Sequence, residues 1–207
     1  WNVGAAHKGE IRVDTSMRVG GKSAIQISPN EQNTPGPERP GVVQTVPISS
    51  DLKGKTLKLS AQLAAKDGAK AAVLIVGLGS SGQEIKKFLW YSKGSNWTKS
   101  EATLQVPSDG SLKNIAVIVI AEGTQGTAYV DEVWISTEGA PSPQPASVQE
   151  TPAQTPTPAP VQTPTTNLVQ NGDFEKTSGG QPASWNFGAK DRGTIRTTTS
   201  LRAGGKT

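Results

Sequence analysis

The sequence predicts an all-β protein, a two-sheet antiparallel β-sandwich of jelly-roll type. Three observations lead there. Short segments alternate apolar and polar residues with a period of two. Two further segments are almost wholly apolar and β-branched. No stretch carries the 3.6-residue period of an amphipathic helix.

The alternation is plain in GEIRVD (9–14), SAIQIS (23–28), KTLKLSAQLAA (55–65) and SEATLQVP (100–107). In the third, Leu57, Leu59, Ala61 and Leu63 fall on one face, and Lys58, Ser60 and Gln62 on the other. The runs AAVLIVGL (71–78) and IAVIVIA (115–121) read as central strands covered on both faces. GTAYVDEVWIS (126–136) gives a closing strand.

Residues 1–23 align without a gap to residues 185–207, with identity at 13 of 23 positions. Two copies of one module are therefore present. The first is expected to lack its opening, and the second its closing strands. Three parts follow: a module over 1–138, a Pro/Thr-rich linker over 139–166, and the N-terminal part of a second copy over 167–207. Eight Pro lie between Pro141 and Pro164, among almost no large apolar residues. Such a tract buries no core and favours extended geometry, with a reach on the order of 80 Å. Residues 167–207 alone have no partner sheet and are not expected to fold. The one alternative is that NLVQNGDFE folds back and supplies the strand that the first copy lacks.

The charge surplus is 21 basic to 17 acidic residues, and the longest basic run is Lys86–Lys87. That argues against a nucleic-acid partner. There is no Cys, which excludes disulfides and thiolate metal sites, and no apolar stretch is long enough to span a membrane. Gly77, Gly79 and Gly82 satisfy G-x-G-x-x-G, but only about ten residues follow before Gly94, too few for a crossover helix. They read as a turn. The GKS and GKT ends at Ser23 and Thr207 lack the upstream Gly of a phosphate loop, having Ser16 and Ser200 there. His7 is the only histidine, and Asp191 replaces it in the second copy. Of Glu84, Glu101, Glu122, Asp131 and Glu132, most read as solvated edge or loop charges. The chain is therefore read as no enzyme.

NLVQNGDFE, PASW and the GGK turn, with GVVQTVP, LKGKTLKLSAQL, NWTKSEATLQVP and AYVDEVWIS, resemble the bacterial jelly-roll carbohydrate-binding modules of families 4, 9, 16 and 22. The resemblance covers 1–137 and 167–207. It implies a non-catalytic module that holds an attached extracellular enzyme on a plant-type polysaccharide, β-glucan or mannan. The whole would be secreted, free or attached to the cell surface, and a monomer tethered to its catalytic domain. The alternative is a structural or adhesion sandwich with no sugar site.

Pyranose rings stack on aromatic faces while amides read their hydroxyls. Trp1 and Trp90 are expected as platforms across a concave face, with Gln62 and Gln44 as readers. Trp97 reads as core, and Trp134 is open between core and ligand. The resemblance also implies a structural Ca²⁺. Asp173 and Glu175 of the opening would meet Asp131 of the VDEV strand and the turn at Lys22.

Overall fold

The computed structural model describes residues 2–3, 9–29, 38–137, 166–179 and 181–186. Its strands are β1 (Asn2–Val3), β2 (Gly9–Asp14), β3 (Ala24–Pro29), β4 (Glu38–Arg39), β5 (Gly41–Pro47), β6 (Thr56–Lys66), β7 (Lys70–Leu78), β8 (Glu84–Ser92), β9 (Thr98–Gln105), β10 (Asn114–Glu122), β11 (Thr127–Thr137), β12 (Thr177–Ser178) and β13 (Gln181–Pro182). Helical structure among the described residues is confined to one 3₁₀ turn, Ser50–Leu52.

Two antiparallel sheets form the sandwich. One has four strands in the order β5-β10-β7-β8, the other five in the order β2-β3-β11-β6-β9. The expected two-sheet antiparallel architecture is what the structure shows. The core between the sheets takes Ile25 and Ile27 from β3, and Leu57, Leu59, Ala61 and Leu63 from β6. Val73 and Ile75 of β7, with Val117 and Val119 of β10, face them.

The two continuous apolar runs are the inner strands of the four-stranded sheet, paired from Asn114↔Leu78 to Glu122↔Lys70. Their second faces are buried too. Ala72, Leu74, Val76, Ala116, Ile118 and Ile120 form a separate cluster outside the sandwich core. A strand buried on both faces has no use for alternation, hence the unbroken β-branched composition.

β11 pairs with β6 in regular register through Asp131↔Gln62, then shifts before Trp134↔Ser60. Glu132 sits in the left-handed region at φ 50. This bulge reverses the side-chain phase. Ala128 and Val130 point into the core before it, and Val133 and Ile135 after it. Tyr129, Asp131, Trp134 and Ser136 therefore all take the opposite phase.

Residues 166–186, the segment that carries the NLVQNGDFE opening, pack onto the sandwich. Leu168 N–H donates to Ile135 O at 2.8 Å, and Val133 N–H to Gly172 O at 2.9 Å. These two bonds seat the segment along β11 beyond the end of β3. Asn167 reinforces the join. Its Oδ1 accepts from Ile135 N–H and its Nδ2 donates to Val133 O, both at 3.0 Å. Gly172 lies so close that a Cβ there would stand 2.0 Å from Val133 O, which only glycine avoids. At the far end Val43 and Asn186 exchange two backbone bonds, 3.0 and 2.8 Å, along the edge of β5. Val169, Phe174 and Trp185 are 2%, 0% and 5% exposed and belong to the sandwich core. NLVQNGDFE thus folds back onto the sandwich, in turns and bends rather than as the strand expected of it.

Candidate functional site: the outer face of the five-stranded sheet

The strand periods place polar and aromatic groups together on the outer face of the five-stranded sheet. Register aligns Arg12 of β2, Gln26 of β3, Tyr129 of β11 and Ala64 of β6 in one row. A second row holds Asp131, Gln62 and Lys99, and a third Trp134, Ser60 and Glu101. Each alternates with core residues of its own strand.

At one end Arg12 Nη2 donates to Gln26 Oε1 at 3.1 Å, and Gln26 Nε2 to Ser28 Oγ at 3.3 Å. Lys66 Nζ lies 5.6 Å from the Tyr129 ring centroid. Burial, and then the Asp14 charge, raise the Tyr129 hydroxyl pKa. At the other end a cavity of about 360 Å³ opens beside Trp134, and Asn171, Asp173, Lys176 and Ser184 of the opening segment line it. The Trp134 indole N–H is buried without a hydrogen-bond partner among the described residues. Between the two ends, Gln62 is half-buried and its amide has no partner among the described residues. An unpartnered amide near a half-buried indole is suited to a ligand made of apolar faces and hydroxyls.

Of the described residues expected to touch a ligand, only Gln62 lies on this face. Trp90 is on the inner face of β8, where it packs with Phe88 against the sandwich core. Its neighbours Leu89 and Tyr91 have the outward phase. Platform duty for Trp90 is therefore corrected to a core-edge role.

Gln44 is 6% exposed, and its amide is fully engaged. Nε2 donates to Gln170 O and Ser184 O, both at 2.9 Å, while Oε1 accepts from Gln170 N–H at 2.7 Å. It joins the opening segment to β5. Trp1 lies outside the described residues. Its aligned counterpart Trp185 is buried against Phe174, with its indole N–H on Asn171 O at 3.1 Å.

The residues expected around Ca²⁺ do meet at one corner. Asp131 is fully buried and accepts the N–H groups of Glu132, Val19 and Gly20 at 2.7, 2.9 and 3.4 Å. Burial pushes its pKa up to about 7, against the pull of those N–H donors and with the Glu132 charge adding to the rise. Glu175 accepts the backbone N–H groups of Lys22 and Ser23. Asp173 Oδ1 accepts the Glu175 N–H at 3.4 Å. Burial, then the charges of Asp173 and Glu175, raise Glu132 as well.

Ca²⁺ needs six or more converging oxygens. Here backbone N–H donors face Asp131 and Glu175, and Lys22 contributes its N–H. Among the described residues no three acidic or imidazole groups are placed to share an ion. The arrangement does not fit the metal, and nothing further is derived through one.

Sequence reading missed Tyr129, Gln26 and Arg12 as members of this face. The signal was available for Gln26, which stands between Ile25 and Ile27, and for Tyr129, between Ala128 and Val130.

No known protein family and no curated protein matches the chain. Solved structures similar to it include a CBM4 module at 19% identity, covering 66% of this chain and 85% of that one, with a TM-score of 0.45. A family 16 carbohydrate-binding module is similar at 14% identity, with 64% and 95% covered and a TM-score of 0.46. The xylan-binding CBM22-1 domain from Paenibacillus barcinonensis is similar at 11% identity, with 62% and 81% covered and a TM-score of 0.42. These neighbours are carbohydrate-binding modules.

Proposed function

We propose that this sandwich is a non-catalytic module that binds a polysaccharide across the outer face of its five-stranded sheet. The observation that carries the reading is the line of Trp134, Gln62 and Tyr129, with the indole N–H and the Gln62 amide unpartnered among the described residues. Trp134 supplies the stacking surface and Gln62 reads adjacent hydroxyls. Arg12 and Gln26 bound the Tyr129 end. Asp173 and Lys176 bring hydrogen-bonding groups to the Trp134 end, so the opening segment completes the site.

The ligand class is a β-linked plant-type polysaccharide, β-glucan or mannan. The module acts outside the cell and holds an attached enzyme on that substrate. Ligand and location both follow from the resemblance of NGDFE, PASW and VDEV to the carbohydrate-binding group and from the Pro/Thr linker. Gel-retardation electrophoresis against soluble glucans, mannans and xylans tests the reading. Retardation by a glucan or mannan is expected, and unchanged mobility in all three overturns it.

A further inference from the structure

The sequence has a single Asn-Gly step, Asn171–Gly172. Asparagine followed by glycine is chemically labile. With no Cβ in the way, the glycine nitrogen attacks the asparagine side-chain carbonyl carbon and gives up its proton. A five-membered succinimide closes as the carboxamide C–N bond breaks and ammonia leaves. Water then opens the ring at either carbonyl, giving aspartate or isoaspartate, the second with one extra carbon in the backbone.

This step lies at the hub of the opening segment. Asn171 Nδ2 donates to Lys176 O and Ala183 O at 2.8 and 2.9 Å, and Oδ1 accepts the Lys176 N–H at 2.8 Å. Ammonia cannot leave without the loss of both Nδ2 bonds. The flanking backbone is held as well. Asn171 O accepts the Trp185 indole N–H at 3.1 Å, and Gly172 O accepts the Val133 N–H at 2.9 Å. An attack on the side chain therefore needs the segment to come off the sandwich first.

We propose that Asn171 is a site of spontaneous deamidation that the seated segment suppresses, and that deamidation prevents reseating. Two contacts make the change one-way. A carboxylate at 171 has no N–H for Lys176 O and Ala183 O, and turns an anion toward both carbonyls. Isoaspartate adds a backbone carbon next to Gly172, where even a Cβ would stand 2.0 Å from Val133 O. Each opening of the segment is thus open to a covalent record that refolding does not erase.

The test incubates the full-length chain in mildly alkaline buffer, native and in urea, and reads Asn171 by peptide mass spectrometry. Conversion is expected to be about tenfold slower or more in the native chain, since its hydrogen bonds must break first. Gln44→Leu, which loosens the segment without altering the sequence around the step, should fall in between. The deamidated chain, and Asn171→Asp as the same product made genetically, should melt below the parent. Equal rates in native buffer and urea, or no conversion in either, overturn the proposal. So does a deamidated or Asn171→Asp chain that melts like the parent. The comparison of native buffer with urea needs no variant, so it stands if a substituted chain folds poorly.

Discussion

The rings of Phe174 and Trp185 meet with centroids 5.3 Å apart and planes tilted by 34°. Both rings come from the opening segment, residues 166–186, and both lie in the sandwich core. That contact gives the NGDFE and PASW signatures their physical meaning. Phe174 fills the core and Trp185 closes over it. Asn171 Nδ2 ties the intervening loop through Lys176 O and Ala183 O at 2.8 and 2.9 Å.

Phe174→Ala should therefore lower stability by about 3–5 kcal/mol, the usual cost of deleting a buried ring. Thermal melting of the full chain checks this. A shift no larger than that of an exposed control such as Tyr91→Ala would show that the segment is not seated in the core.

Gln44→Leu should cost stability and leave affinity alone. It strands the Gln170 N–H and the carbonyls of Gln170 and Ser184, at about 1–3 kcal/mol for each group left unsatisfied. Calorimetry on the folded variant should return the parent affinity. A tenfold loss of binding with unchanged melting would restore Gln44 as a ligand reader.

The Asp131 carboxyl sets a pH dependence. Its folded pKa of about 7 lies above the ordinary value of 3.8, so between roughly pH 4 and 7 the folded state holds more protons than the unfolded. Stability from this group is present at the acidic end and is lost as pH rises through that window. Glu132, also raised, acts in the same sense. The melting temperature should be higher near pH 5 than near pH 7.5, and Asp131→Asn should flatten the difference. Added Ca²⁺ should change neither curve. A rise in stability with pH across this window, or a Ca²⁺-dependent rise in melting temperature, contradicts the arrangement of N–H donors around Asp131.

Much of the sandwich was legible because period-two alternation and continuous apolar runs report burial directly. Leu57, Leu59, Ala61 and Leu63 face the core, as their spacing says, and Gln62 faces away. Trp134 was not legible. Counting in twos from Val130 would turn it inward, but the bulge at Glu132 adds one residue and turns it out. No turn residue such as Gly marks that bulge. Gln44 failed differently. Alternation set its facing well enough, but its partners Gln170 and Ser184 lie far along the chain, and only the fold-back makes the position a buried seam. For Trp90 alternation shows that it shares a face with Phe88, but not which of the two faces of β8 is packed.

Trp134→Ala, followed by calorimetry with a soluble glucan or mannan oligosaccharide and by thermal melting, tests the central claim most directly. Covering half of one indole face removes roughly 80–100 Å² from water, worth about 2 kcal/mol. The account predicts binding weakened about thirtyfold, with melting close to that of the parent. Parent affinity in the folded variant would contradict it.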